Sequence, residues 1–283
     1  MTVFSSQLIR SLSQPQAALF SLLLLIFATL TSILAFACPA QALEMVIAYE
    51  NKAQPPYYMG DSNAPLATNP GVSVEMVQML EQRIPDLKIR LIRFPWKRCL
   101  ETLQLGEVDG IFNSSFAKDR AVIGRYPMKN GQVDLDRRLT TISYNFYRMP
   151  DSSVRWDGQT ISGLQGAVGA PLGYSIVKDL KGMGVEVDEA PSTKLVLDKL
   201  LRKRNSVAAL QAVTADALRN SNHTFQDIIK IDPPLRIKAY YLMISHQFAE
   251  RNPQLAERIW DEIATMRDED FSRLLSKYLE DSP

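Results

Sequence analysis

From residue 43 onward the spacing of apolar residues switches repeatedly between two periods. In LEMVIAYE, Met45, Ile47 and Tyr49 fall on one side of an extended chain and Val46 and Ala48 on the other. That is the mark of a strand buried on both faces. VSVEMVQMLEQRI sets Val72, Met76, Met79 and Leu80 at helical spacing and stops before Pro85. LKIRLIRF alternates as a strand. WKRCLETLQLG carries Cys99, Leu100 and Leu103 on one helical face and ends at Gly106, and VDGIFN reads as the next strand. Residues 43–113 thus predict strand, helix, strand, helix, strand, with a Pro- and Asn-rich loop, NKAQPPYYMGDSNAPLATNPG, after the first strand. Such alternation calls for a parallel sheet covered on both faces.

RRLTTISYNFYRMP predicts a long strand, after which the alternation resumes. GAVGAP, VEVDEAP and SVAALQA read as strands, and GYSIVKDLKGMG, TKLVLDKLLRKR and TADALRNS as helices. PPLRIKAYYLMIS is a second long strand. The tail reads as two helices, with Leu255, Ile259, Ile263 and Met266 on one stripe. The extended segments at 138–149 and 234–245 bracket the second alternating unit. The predicted fold is therefore an α/β two-lobed clamshell, each lobe a mainly parallel sheet flanked by helices, joined by two hinge strands. Lobe one is expected over 43–145 plus 236–283, and lobe two, inserted, over 146–235. Two crossing strands suit hinge closure around a ligand. Ligands of open α/β sheets sit beyond the carboxyl ends of the strands, where NSSFAKDR and GAPLGYS lie.

Composition changes the picture chiefly at the start of the chain. Arg10 is the only charged residue in the first 42, and AALFSLLLLIFATLTSILAFA is almost wholly apolar. Ala40 and Ala42 then stand at the small-residue spacing of a signal-peptidase site, so residues 1–42 read as a secretory signal cut after Ala42. The run is also long enough for an uncleaved anchor. A lipoprotein modified at Cys38 is disfavoured, because leucine is missing three positions earlier. The expected location is the periplasm. Cutting removes one of the 32 basic residues and none of the 31 acids, leaving 31 of each. An electroneutral chain excludes a nucleic-acid binder that works through a strong basic field. Cys99 would remain as a single cysteine, so no intrachain disulfide is expected. His223 and His246 stand apart without metal-like neighbours, so no metal and no cofactor is expected.

The candidate chemistry gathers around GEVDGIFNSSFAKDRAVIGRYP. Arginine offers a planar fork of donors that matches a carboxylate and stays charged. Serine hydroxyls and turn N–H groups add donors. Ser114, Ser115 and Arg120 would together form an anion pocket, although Arg120 paired with Asp109 or Asp119 at the surface fits the spacing equally well.

Gly106-Glu107-Val108-Asp109, followed by hydroxyls and Arg120, resembles the lobe-one signature of type II periplasmic solute-binding proteins. The likeness is to the polar amino-acid-binding family of ABC importers in particular. IAYENKAQPPYYMGD, FPWKRCLETLQLGEVDG and GAVGAPLGYS resemble further parts of that family in the same order. The resemblance implies a serine–arginine grip on a ligand carboxylate, a lobe-two turn offering Gly173, Tyr174 and Ser175, and no catalysis. It implies a monomer that binds a small polar solute, an amino acid or related molecule, and hands it to a membrane ABC permease or a sensor receptor. Two departures stand out. Gln54 occupies the place of the family's stacking aromatic, leaving Tyr57 or Trp96 to serve. The strand SVAALQAV offers Gln211 where the family carries an amine-binding acid, so Glu50 would have to replace it. A dehydratase-like enzyme on the same clamshell would need an acid or base in the cleft, and Glu50 is the evident candidate.

Overall fold

The computed structural model describes residues 42–280. The apolar leader, its cleavage signal and Cys38 lie outside the described residues, apart from Ala42. The expected two-lobed α/β clamshell is the fold observed.

Strands Leu43–Glu50 (β1), Leu87–Phe94 (β2) and Gly110–Ser115 (β3) alternate with helices Val72–Arg83 (α1) and Trp96–Leu105 (α2). β1 runs parallel to β2 over its full length and parallel to β3 at Ile47 and Ala48. Its residues from Ile47 to Glu50 are all buried, as a strand covered on both faces requires. α2 buries Trp96, Cys99, Thr102 and Leu103, and Gly106 ends it in the left-handed conformation at φ 74°.

Two short strands, Met128–Lys129 (β4) and Gln132–Val133 (β5), precede the long Thr140–Arg148 (β6). A small hairpin, Arg155–Trp156 (β7) with Ile161–Ser162 (β8), opens the second half. Then come Val168–Pro171 (β9), Ser175–Gly182 (α3), Val187–Ala190 (β10), Thr193–Leu201 (α4), Val207–Gln211 (β11) and Ala212–Ser221 (α5). Ile229–Ile244 (β12) returns the chain to the first half, which closes with His246–Arg251 (α6), Pro253–Glu269 (α7) and Phe271–Glu280 (α8).

Eight of the strands form one sheet in the order β10-β9-β11-β6-β12-β3-β1-β2. Each end of it is a parallel trio. Between them β6 and β12 pair antiparallel with each other and with their outer neighbours, and so carry the chain between lobes.

One expectation needs correcting. β12 starts at Ile229 and not near residue 234. Pro233 and Pro234 interrupt its ladder without ending it, because proline lacks the donor a paired strand needs. Pairing with β6 breaks between Ile231 and Arg236, where Asn145 Nδ2 donates to Ile231 O and Asp232 Oδ1, both at 3.0 Å. The two helices expected of the tail are α7 and α8, and a short further helix, α6, precedes them and stops before Pro253 opens α7.

The core of the first lobe packs Met45, Ile47, Val72, Met76 and Leu80 against Ile259, Ile263 and Met266 of α7. Trp260 Nε1 donates to Leu242 O at 2.8 Å, tying α7 to β12. Burial of an unpartnered apolar stripe of this kind is the main driving force for docking such a helix.

Candidate functional site

β3 ends at Ser115, and the two serines at its end point opposite ways, as strand alternation demands. Ser114 turns into the lobe. It shares a 2.8 Å hydrogen bond with Tyr126 Oη and donates to Met243 Sδ at 3.5 Å. Ser114 is fully buried there and stands apart from the cleft group expected of it. Ser115 faces the other way. A single 3-10 turn at Arg120–Val122 brings Arg120 back over it. Arg120 Nη1 donates to Ser115 Oγ at 3.0 Å and to Ser115 O at 3.2 Å. Nη2 reaches across to the second lobe and donates to Gly173 O at 3.0 Å. The guanidinium carbon lies 5.6 Å from the centre of the Trp96 ring. Its partners are therefore Ser115 and Gly173, and neither Asp109 nor Asp119.

Gly173 sits between β9 and α3 with φ 73°. A Cβ there would stand 3.3 Å from Lys97 Cγ and 3.5 Å from Trp96 Cδ1. Glycine therefore serves two needs, a left-handed turn and close approach to α2 of the other lobe. The Gly173 N–H donates to Glu189 Oε2 at 2.9 Å.

The next residue, Tyr174, makes a second crossing. Its hydroxyl donates to Glu50 Oε2 at 2.5 Å and accepts from Gln54 Nε2 at 2.5 Å. Tyr58 Oη also donates to Glu50 Oε2, at 2.9 Å. Glu50 is 4% exposed. Burial pushes its carboxyl up to about 7, against the opposing pull of both tyrosine hydroxyls and of Arg93. The Arg93 guanidinium donates to the backbone oxygens of Glu50, Met59 and Gly60 and thereby pins the loop that carries Gln54 and Tyr58. Tyr57, in the same loop, is buried. Trp96 is buried except for 6% of its surface, and its Nε1 is a buried donor without a hydrogen-bond partner.

A third group lies on the strands between the lobes. Gln211, at the end of β11, donates from Nε2 to Tyr144 Oη at 3.1 Å and Tyr240 Oη at 3.2 Å. Those two hydroxyls are 2.6 Å apart. Lys238 Nζ donates to Ser175 Oγ at 3.1 Å and forms an ion pair with Asp179. Outside these groups a groove of about 710 Å³ runs between the lobes, with Arg120, Gly173, Tyr174, Ser175 and Lys238 on its walls.

The structure thus brings Glu50 to Tyr174, and Arg120 to Ser115, Trp96 and Gly173. It gathers Ser175 and Gln211 around the paired tyrosines of β6 and β12. Ser114 and Tyr57 are turned into packing. Sequence reading missed Gln54 and Tyr58 as partners of the Glu50 group, and Lys97, Lys238, Tyr144 and Tyr240 altogether. Alternation along β12 was the available signal for Lys238 and Tyr240, which share one side of that strand. Among the described residues no cluster of His, Cys, Asp or Glu could hold a metal, and no helix is long and apolar enough to cross a membrane.

No family model and no curated protein matches the sequence. Solved structures do. A histidine kinase sensor domain with similarity to periplasmic binding proteins aligns with a TM-score of 0.67 at 16% identity, over 84% of this chain and 97% of that one. An amino acid ABC transporter substrate-binding protein from Streptococcus pneumoniae, bound to L-arginine, aligns at 0.65 and 14%, over 84% and 95%. An ancestral amino-acid-binding protein, a precursor of cyclohexadienyl dehydratase, aligns at 0.62 and 11%, over 83% and 95%.

Proposed function

From the type II periplasmic binding protein fold that this chain adopts, we propose that it is an extracytoplasmic solute-binding protein. It captures a small polar solute bearing a carboxylate, an amino acid or a related molecule, and delivers it to a membrane ABC permease. Lobe one spans 43–145 and 236–283, lobe two 146–235, and the strands β6 and β12 act as the hinge. Residues 1–42 direct export to the periplasm and are cut away. The protein works as a monomer.

The observation that carries this reading is Arg120. Its guanidinium lies at the seam, held by Ser115 of one lobe and by the Gly173 carbonyl of the other. A solute carboxylate entering the groove replaces that carbonyl as acceptor and gains a charge-assisted, bidentate partner. Ser115 and the unpartnered indole N–H of Trp96 supply further polar contacts. Arg120→Ala lowers carboxylate affinity by about 1.5–3 kcal/mol, the range for a hydrogen bond to a charged group. Calorimetry with a bound carboxylate checks it, and unchanged affinity removes Arg120 from the site.

A second reading rests on Glu50. A buried carboxyl pushed up to about 7 beside a tyrosine hydroxyl is suited to proton transfer near neutrality. A dehydratase-like enzyme would turn over a cyclic carboxylate and lose that turnover in Glu50→Gln, whereas a transport protein or a receptor-docking sensor shows no turnover in either form.

A further inference from the structure

The groove between the lobes is not electrically neutral, although the chain beyond the leader is. Its walls carry Lys97, Lys118, Arg120, Lys178, Lys181 and Lys238 against three acids. Each acid already has a cation. Asp119 pairs with Lys178 at 3.2 Å across the two lobes, and Glu189 with Lys181 at 3.7 Å. Asp179 pairs with Lys238. Among the described residues Lys97, Lys118 and Arg120 have no carboxylate partner, and all three come from lobe one. Lys97 lies along Gly173, whose carbonyl Arg120 holds, so the two cations converge on one stretch of the seam.

The opposite charge is missing where an ammonium group would need it. Gln211 is a neutral amide engaged with two tyrosine hydroxyls. Glu50 is sealed behind Tyr174 and Tyr58, both of which donate to the same carboxylate oxygen. The Trp96 indole N–H, a buried donor with no acceptor, adds to the demand for negative oxygens at this seam.

Building on the solute-binding reading above, we propose that this groove selects solutes that carry two or more carboxylates and no ammonium group. Arg120 takes one carboxylate, and Lys97 and Lys118 take the others. A zwitterion would leave its cation facing lysines, which costs affinity through like-charge repulsion and an unpaired charge.

A thermal-shift screen followed by calorimetry tests this, because a ligand of the folded state raises its melting temperature. The probes are succinate, citrate, L-glutamine and L-arginine, with sulfate at matched ionic strength as a general anion. Succinate or citrate is expected to raise the melting temperature well beyond the sulfate control, and the two amino acids to leave it unmoved. In the double variant Lys97→Met/Lys118→Met the affinity for the di- or tricarboxylate falls roughly tenfold, as expected for loss of two partly exposed charge contacts. The unliganded melting temperature stays put, since both lysines are exposed. Stabilisation by L-glutamine or L-arginine that is lost in Arg120→Ala overturns the polycarboxylate assignment and leaves the solute-binding reading intact. Equal shifts from sulfate and citrate, or an unaffected double variant, also overturn it. No shift from any probe counts against both.

Discussion

Glu50 shows how far a single residue's environment departs from its chemistry in water. In the unfolded chain its carboxyl titrates near 4.5, and in the fold near 7. Between those values the folded protein keeps a proton that the unfolded chain has released, so raising the pH favours unfolding. The stabilisation is complete below about 4.5 and is lost as pH rises through about 7, a change of about 3 kcal/mol. Glu50→Gln carries no titrating group and flattens the profile. Its melting temperature relative to the parent should climb by roughly 6–12 °C between pH 4.5 and pH 8. Equal pH profiles for the two proteins would show that the carboxyl ionises normally. Glu50 was legible as a candidate because Gln211 stands where the resemblance calls for an amine-binding acid, which left Glu50 as the evident acid of the cleft. The sealing of Glu50 by Tyr174, 124 residues away, was not, because periodicity reports a face and not a partner. With the serines the signal was present, since two neighbours on one strand cannot both face a cleft.

At the level of elements, most of the chain declared itself. β1, α1, β2, α2 and β3 were visible because each period persists for its whole length, and Gly106 marked an end. The course of β12 was harder. Two prolines look like a start signal, yet Asn145 supplies hydrogen bonds where the ladder fails, and the strand continues through the break. Pro253 opens α7 by the same logic of missing donors, this time favouring a first helical turn. The loop after β1 was read as a loop and nothing more. Its form depends on Arg93, a buried side chain of β2 that binds three of its backbone oxygens or their neighbours. Loops of this kind are set by a tertiary partner, and local pattern says little about them.

For the whole molecule the open question is what sets the angle between the lobes. The Tyr174 hydroxyl bridges them through Glu50 and Gln54, so Tyr174→Phe should let them part more readily. Small-angle scattering is expected to give a larger radius of gyration for the unliganded variant, with solute affinity weakened about tenfold by loss of a hydrogen bond to an ionisable partner. Identical scattering and identical affinity would mean that other contacts govern closure.

Gly173 and Tyr174 are consecutive, and each is grasped by a different part of the opposite lobe, directly before the eight-residue helix α3. The stem of that helix is consequently stitched down at two points in this structure. On the solute-binding reading proposed above, a membrane partner that touches α3 alone would sense occupancy by the helix's bearing, without ever reaching the solute.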